Sequence, residues 1–576
     1  MVLRICVVTP HSWSQAGDAN EHVKGVAAAL RARGHEVVVL APSSRARDLQ
    51  AGRRALQKGE LGSVVAIAPT LPVSPRSSLA IPVGVRASVA QALEVGRFDV
   101  VHGIDPGVPG LSYAALLEAD TTTAATFLDP ERLSYPARKN LRDRLLARID
   151  TLIAPDAATA ARVAERFPGT YETVPIGVAE PAVLDKRRLI VVETSAPSLP
   201  AVRSVLRALR DLPDWEIVVA RTSKLAARPP IPGVLRSRVH VSTAETASAR
   251  AELLAEAAIV VPALDGSSRL PLEAAVAGCA LVIPPALADQ PELAGAAVLR
   301  FAESEAARAA DVAERRKTLD LASFAEVAET LERLYARATE RRQPRPRRDA
   351  APLADRDWIL ADLHMHTSRS GDCSIPVESL LDHAESEGLG AIAITDHNVF
   401  AGALEGVELA RGRELAVIPG EEIKTDNQGE VIGLFLREEI PRGMTFAETV
   451  AAIREQDGLV YLPHPFDRMH AIPSPATLHR HLAEIDVFEV YNARLLFDAY
   501  NDEALRFARK YGLLAGAGSD AHVLQGVGTG ALRMRRFEGP EEFLLSLRTA
   551  EVVRRPKSLA LLQSLKWVAQ VKEKVR

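Results

Sequence analysis

Cysteine is scarce: Cys6, Cys279 and Cys373 are the only three in 576 residues. Thiols so few and so far apart exclude a disulfide framework. No charge of one sign dominates either. Seventy basic residues face 74 acidic ones, for a formal net charge of −4, which offers no field for coating long nucleic acid. Long apolar runs are missing too. The stretch Ala257 to Leu264 falls far short of the ~20 residues a spanning helix needs. The opening Met1-Val2-Leu3-Arg4-Ile5-Cys6-Val7-Val8 carries a charge and no small-residue cleavage site, so it reads as a buried strand and not as a leader. A cytoplasmic location is the expectation. There is no obvious internal repeat.

What is present is ordinary globular material. With 47% hydrophobic and 25% charged residues, global disorder and a fibrous architecture are excluded. The length is enough for about three domains, at roughly 100–200 residues each. The clearest break lies at residues 337–356, where Arg337, Arg341, Arg342, Arg345, Arg347 and Arg348 mingle with Pro344, Pro346 and Pro352 without apolar periodicity. Such a stretch buries no face, and X-Pro steps oppose helix, so it reads as a linker.

Before the linker, short β-rich apolar runs alternate with helical segments. The strands are Arg4–Val8, Glu36–Leu40, Val100–Val101, Thr151–Ala154, Leu189–Val192, Trp215–Val219 and Ala258–Val261, with a helix over Ala19–Arg33. This pattern predicts an α/β chain with two doubly wound lobes, residues 1–183 and 184–336. After the linker, residues 357–550 repeat the alternation. Strands are expected at Trp358–Leu363, Ala391–Thr395, Ala416–Pro419, Val431–Phe435, Val460–Leu462, Val487–Val490 and Leu513–Ala515. Seven parallel strands in so short a span predict a closed or nearly closed β/α barrel. The tail, 551–576, carries an amphipathic lysine-rich helix over Ser558–Arg576; docking on the protein and peripheral membrane contact both suit it.

The histidines gather after the linker, nine of 14. His364 and His366 end the first of those strands at i and i+2, which share a face. Asp396-His397 ends the next, Glu421-Glu422 follows Val417-Ile418-Pro419-Gly420, His464 ends Val460-Tyr461-Leu462-Pro463, and Asp520 and His522 follow Leu514–Ser519. Each group sits at a strand's carboxyl end, where barrel active sites form. Five strand ends converging on one mouth predict a metal site of mixed imidazole and carboxylate ligands, suited to Zn, Mn or Fe. Lys424, Arg468 and Arg494 follow these strand ends or a neighbouring one and are candidate substrate contacts, arginine being suited to phosphate.

Asp362-Leu363-His364-Met365-His366-Thr367, Thr395-Asp396-His397-Asn398, Pro419-Gly420-Glu421-Glu422, Leu462-Pro463-His464-Pro465 and Gly518-Ser519-Asp520-Ala521-His522 resemble, in order, the motifs of the PHP (polymerase and histidinol phosphatase) domain. The resemblance implies a distorted, seven-stranded TIM-like barrel, two or three divalent cations and hydrolysis of a phosphomonoester or phosphodiester. It implies that His364, His366, Glu422 and Asp520 hold one cation. Glu422 would bridge to a second, completed by His464 and Glu430, and Asp372, His397 and His522 would hold a third. His364, His366, Asp520 and His522 are the residues it makes catalytic. Its substrate would be small and phosphorylated, glycosylated or nucleotide-linked variants included.

Residues 1–336 resemble a GT-B glycosyltransferase of the family-4 type, through Pro10-His11-Ser12-Trp13-Ser14, Asn20-Glu21-His22-Val23, Arg33-Gly34-His35-Glu36-Val37, Asp99-Val100-Val101-His102, Pro175-Ile176-Gly177-Val178 and Pro271-Leu272-Glu273-Ala274-Ala275-Val276-Ala277-Gly278. By that resemblance Asp265 and Glu273 mark a nucleotide-sugar site. Several family features are replaced: Asp265 stands for a glutamate, and Thr126-Phe127 runs into Leu128. No arginine or lysine occurs in Glu193-Thr194-Ser195-Ala196-Pro197-Ser198, where a pyrophosphate-gripping pair should follow the strand. The expectation is a degenerate transferase fold kept for binding, with an active transferase as the alternative.

Overall fold

The computed structural model describes residues 2–15, 17–74, 77–80, 85–179, 185–222, 226, 228–263, 269–282, 290–319, 321–341, 353–558 and 564. Asp265, most of the expected linker and most of the C-terminal tail lie outside the described residues. The chain forms two compact units: Met1–Leu145 with Ile149–Ala338, and Leu146–Arg148 with Thr339–Arg576. Helix Phe324–Glu340 runs four residues into the stretch read as linker, because Leu331, Leu334, Tyr335 and Ala338 keep an apolar stripe going.

The first unit holds two main sheets. The eight-stranded one runs Ser77–Ala80, Val64–Ser74, Glu36–Ser43, Arg4–Val8, Val100–Ile104, Thr122–Thr126, Thr151–Ala154, Tyr171–Thr173 in spatial order, parallel except for the first pair. The five-stranded one runs Val239–Thr243, Glu216–Arg221, Arg187–Glu193, Ala257–Val261, Ala280–Leu281 and is parallel throughout. The central strands are buried on both faces, as in Ala257-Ala258-Ile259-Val260-Val261, and so read as continuous apolar runs. In each sheet the chain reverses its direction of winding beside the central strand. The reversals fall between Arg4–Val8 and Val100–Ile104, and between Arg187–Glu193 and Ala257–Val261, where such folds open a crevice at the strands' carboxyl ends.

The second unit is built on one nine-stranded sheet. Its strands are β1 (Trp358–Met365), β2 (Ala391–Ile394), β3 (Ala416–Lys424), β4 (Glu430–Leu434), β5 (Leu459–Leu462), β6 (Val487–Asn492), β7 (Leu514–Gly518), β8 (Gly530–Arg535) and β9 (Glu551–Arg554). The spatial order is β7-β6-β5-β4-β3-β2-β1-β8-β9. A parallel bridge from Met365 to Ala521, just past β7, brings the sheet round to a nearly closed barrel. This corrects the seven-stranded parallel barrel expected from sequence. All seven strands are there, but two more extend the sheet, and β4 runs antiparallel to β3 and β5. The reason is loop length: Thr425 to Gly429 is too short for a parallel crossover, which needs a dozen or more residues. Alternate residues of β2 serve two cores. Ala391 and Ala393 join a cluster drawn from eight strands, and Ile392 and Ile394 pack with the helices.

Candidate metal centre

The mouth of the barrel is knitted by backbone bonds between strand ends. Asp520 N donates to His364 O (2.7 Å), His366 N to Ala521 O (3.1 Å) and Glu422 N to Asp396 O (3.1 Å). His464 and Asp520, both non-glycine, hold φ of +25° and +50°, the kind of backbone strain that concentrates at functional sites. Asp396 is structural: its carboxylate accepts from Thr367 N at 2.7 Å and Thr367 Oγ1 at 2.6 Å, pinning the loop after β1. Asp362 does the same across the mouth, accepting from Ser519 N (2.9 Å) and Gly528 N (3.0 Å).

Glu422 lies at the centre. Its Oε2 is 3.0 Å from His397 Nδ1 and 3.3 Å from His364 Nε2, and its Oε1 is 3.0 Å from His464 Nε2. His366 Nε2 lies 3.4 Å from both Glu422 Oε2 and Asp520 Oδ1. His366 stacks at 4.4 Å on His397 and lies 4.4 Å from the ring of His522, whose Nε2 is 2.7 Å from Asp372 Oδ2. Glu430 approaches from β4, 3.8 Å from His464 and 3.9 Å from His397. All nine residues expected as ligands are therefore brought together. Four overlapping triads have ligand atoms within 4.8 Å: His364–His366–Asp520, His364–Glu422–His464, His397–Glu422–Glu430 and His366–His397–His522.

These residues fit divalent cations. His366 Nε2 is fully buried with no hydrogen-bond partner, an expensive state for an imidazole nitrogen unless something else takes its lone pair. Its 3.4 Å spacings to two carboxylate oxygens match the edge of a tetrahedron with ligand bonds of about 2.1 Å. The electrostatics agree. Burial, with repulsion from Glu422, pushes the Glu430 carboxyl up. Burial opposes charge on Glu422 as well, but the imidazoles of His364 and His397 hold it well below the carboxylate range. Burial, reinforced by His522, lowers His366 to about 3, leaving a neutral imidazole as a donor to metal.

Parity settles which of the paired glutamates faces the centre. Neighbours on a strand point to opposite sides, and Glu421 turns away to accept from Ile440 N at 2.9 Å. Cys373 is buried, its Sγ donating to His366 O, as a small packed residue. Of the candidate substrate contacts, Arg494 reaches the centre, 3.0 Å from Asp520 Oδ1 and 3.3 Å from His522 Nε2. Arg468 lies over the Tyr500 ring and 3.4 Å from Glu503. Lys424 is exposed at the end of β3.

Sequence reasoning missed the residues behind the ligands. Glu489, 1% exposed, lies 3.1 Å from His364 Nδ1 and accepts from Tyr461 OH (2.8 Å), His464 N (2.6 Å) and Asn492 Nδ2 (3.1 Å). A signal existed: Glu489 interrupts the apolar run Val487–Val490 at the strand end, where its neighbours carry ligands. Ser370 is a further one, its Oγ lying 3.4 Å from His366 Nδ1 and accepting from His397 N.

In the first unit Glu273 is engaged. Its carboxylate accepts Arg250 Nε at 2.6 Å and Nη2 at 2.8 Å, and the same guanidinium pairs with Glu21. Glu21 also caps helix Ala247–Glu256 through Ala247 N at 2.9 Å. At the reversal point of the smaller sheet, Glu193 is 1% exposed and accepts from Thr222 Oγ1 (2.5 Å) and Ala263 N (3.0 Å). His102 is held at both ring nitrogens, by Tyr335 OH and Thr126 Oγ1 at 2.7 Å each, and burial lowers it to about 4. Among the described residues no helix is long and apolar enough to cross a membrane.

Comparison with known proteins agrees with both halves. Residues 19–180 match Glycosyltransferase Family 4, residues 362–507 the PHP domain and residues 498–552 the PHP-associated region. An uncharacterized protein of Methanocaldococcus jannaschii is 36% identical over 214 residues, 35% of this chain and 85% of that one. A phosphatidyl-myo-inositol mannosyltransferase of Propionibacterium freudenreichii is 32% identical over 177 residues, covering 30% of this chain and 45% of that protein. Among solved structures, PsfC from Pseudomonas syringae aligns at a TM-score of 0.30 and 19% identity, over 37% of this chain and 99% of that one. The chain belongs to the PHP family through its second unit and carries a Glycosyltransferase Family 4 region in its first.

Proposed function

We propose that the second unit is a metal-dependent phosphoesterase that hydrolyses a small phosphomonoester or phosphodiester. The observation that carries this reading is the buried, unpartnered His366 Nε2 held between Glu422 and Asp520 in a nest of overlapping ligand triads. His364, His366, Glu422 and Asp520 would hold one cation, Glu422, His464 and Glu430 a second, and Asp372, His397 and His522 a third, with Zn, Mn or Fe suited to these donors. When bound, such cations acidify water and neutralise charge on a phosphoryl oxygen. Arg494, beside Asp520 and His522, binds a phosphoryl oxygen and orients the ester. Arg468 and Lys424 are the further substrate contacts of this reading.

The first unit is read as a binding half and not as a working transferase. A buried carboxylate, Glu193, stands where a diphosphate would be held, and Glu273 is occupied by Arg250. The reading includes a cytoplasmic location and a glycosylated or nucleotide-linked phosphoester. The test is phosphate release from a panel of phosphoesters with Mn, Zn or Fe, beside His364→Ala and Asp520→Ala. Metal-dependent release lost in both variants is expected. No release from any ester, together with sugar-nucleotide binding by the whole chain, would favour the transferase instead.

A further inference from the structure

Strand β6 supplies no expected ligand, yet three of its side chains or their neighbours touch the ligands. Glu489 and Asn492 are three residues apart and on a regular strand would face opposite ways. Here the register with β7 shifts between Glu489 and Tyr491, a bulge of the kind that re-aims side chains beside active sites. The parity is reset. Asn492 Nδ2 bridges Glu489 Oε2 (3.1 Å) and Asp520 Oδ2 (3.3 Å), and Asn492 Oδ1 accepts from Arg494 N at 2.9 Å.

We propose that Glu489 is a positioning residue whose carboxylate keeps a proton on His364 Nδ1, so that His364 Nε2 is the nitrogen presented to the cation. The inference rests on the metal-site reading above, but its proton assignment stands by itself. Four polar atoms meet one carboxylate, which accepts at both oxygens and donates at neither, so each of the four must turn a proton towards it. Two of the four, His464 N and Asn492 Nδ2, have no acceptor state at all. Tyr461 OH and His364 Nδ1 can reverse.

An amide therefore separates the possibilities. In Glu489→Gln the amide oxygen turns to the two obligate donors, and its NH2 group faces Tyr461 and His364. His364 Nδ1 must then accept, and the proton moves to Nε2, which faces Glu422 at 3.3 Å. Size and burial are unchanged; only the tautomer differs. Partners behind a ligating histidine are worth about 10–100-fold in metal affinity.

The test uses the full chain labelled with 15N-histidine, and Mn2+ titration followed by electron paramagnetic resonance. In the unaltered metal-free protein the His364 Nδ1 resonance should be of the protonated type. In Glu489→Gln it should become unprotonated, with Mn2+ affinity falling about 10–100-fold and the circular dichroism unchanged. Unprotonated Nδ1 in the unaltered protein, or a fall of less than about fivefold in the variant, overturns the proposal. Failure of the unaltered protein to bind Mn2+ sinks the metal reading alone, since the nitrogen resonance still reports the tautomer. Should Glu489→Gln not fold, Tyr461→Phe removes the one adaptable hydroxyl and leaves the His364 bond; affinity within about twofold is expected, and a tenfold loss overturns the proposal.

Discussion

The Glu273 carboxylate meets the Arg250 guanidinium side-on, Oε2 at 2.6 Å from Nε and Oε1 at 2.8 Å from Nη2. Arg250 is 2% exposed and also pairs with Glu21, so one cation serves two carboxylates from different helices. Arg269 lies 3.8 Å from Glu21 and 3.6 Å from Glu273, too far to replace the hydrogen bonds lost with Arg250, and breaking a buried ion cluster costs more than the cluster contributes. Arg250→Ala should destabilise the first unit by about 3–5 kcal/mol. Combining Arg250→Met with Glu273→Met should recover much of the loss. Scanning calorimetry of both variants checks this; a double variant no better than the single one would remove the electrostatic explanation.

A second prediction contrasts neighbours on β3. Glu422→Gln removes the carboxylate that four imidazoles surround, and Mn2+ affinity should fall more than ~100-fold, because partners one layer further out already cost 10–100-fold. Glu421→Gln keeps an oxygen for Ile440 N and should change affinity by less than about threefold. Isothermal titration of both variants decides it. Equal losses would mean that the strand's parity does not govern the site.

That contrast also marks how far the sequence could be read. The ligands were legible because each lies at a strand end within a short local pattern, and the strands were legible because parallel sheets bury both faces. Strands β8 and β9 were not, since Leu532 and Met534 alternate with arginines in a short run that resembles a loop. The antiparallel direction of β4 is set by the short loop Thr425 to Gly429 before it, and nothing in the strand's own apolar pattern carries it. Glu489 was passed over because its partners come from β1 and β5, and a residue that accepts from distant strands has no local spacing to betray it. The Arg250–Glu21 pair spans 229 positions, and no pattern in sequence joins them.

Histidine burial in the first unit predicts a pH response. His102, lowered to about 4 by burial, stays neutral in the fold below the pH at which the unfolded chain takes up its proton, near 6.5. The unfolded state then binds more protons, so stability is fullest above about pH 6.5 and falls as the pH drops towards 4. One such group contributes at most about 1.4 kcal/mol per pH unit, on the order of 3 kcal/mol across the window. His22, lowered to about 3 by burial and Arg269, adds to it. In His102→Gln the slope of stability against pH between 4 and 6.5 should become shallower by up to one proton, whatever the variant's absolute stability. Denaturation at a series of pH values reads this slope, and an unchanged slope would show that His102 does not titrate as its surroundings dictate.

The last prediction tests the closeness of β7 to β1. A Cβ on Gly518 would fall 2.3 Å from His364 Cβ and 2.9 Å from His364 N. Neither atom is the free end of a flexible side chain, so β1 or β7 must move. The displaced atoms belong to a ligand whose other side is held by Glu489 and whose carbonyl accepts from Asp520 N. Gly518→Ala should therefore cost about 1–3 kcal/mol in stability, as overpacking does. It should also weaken Mn2+ binding, because His364 and Asp520 lose their mutual placement. By contrast, Gly371→Ala, where a Cβ meets nothing within 4 Å, should leave stability within about 0.5 kcal/mol. Thermal unfolding and Mn2+ titration of both variants distinguish a site that needs this contact from one that tolerates its loss. If Gly518→Ala binds Mn2+ like the unaltered protein, the approach of the two strands is not what sets the ligands.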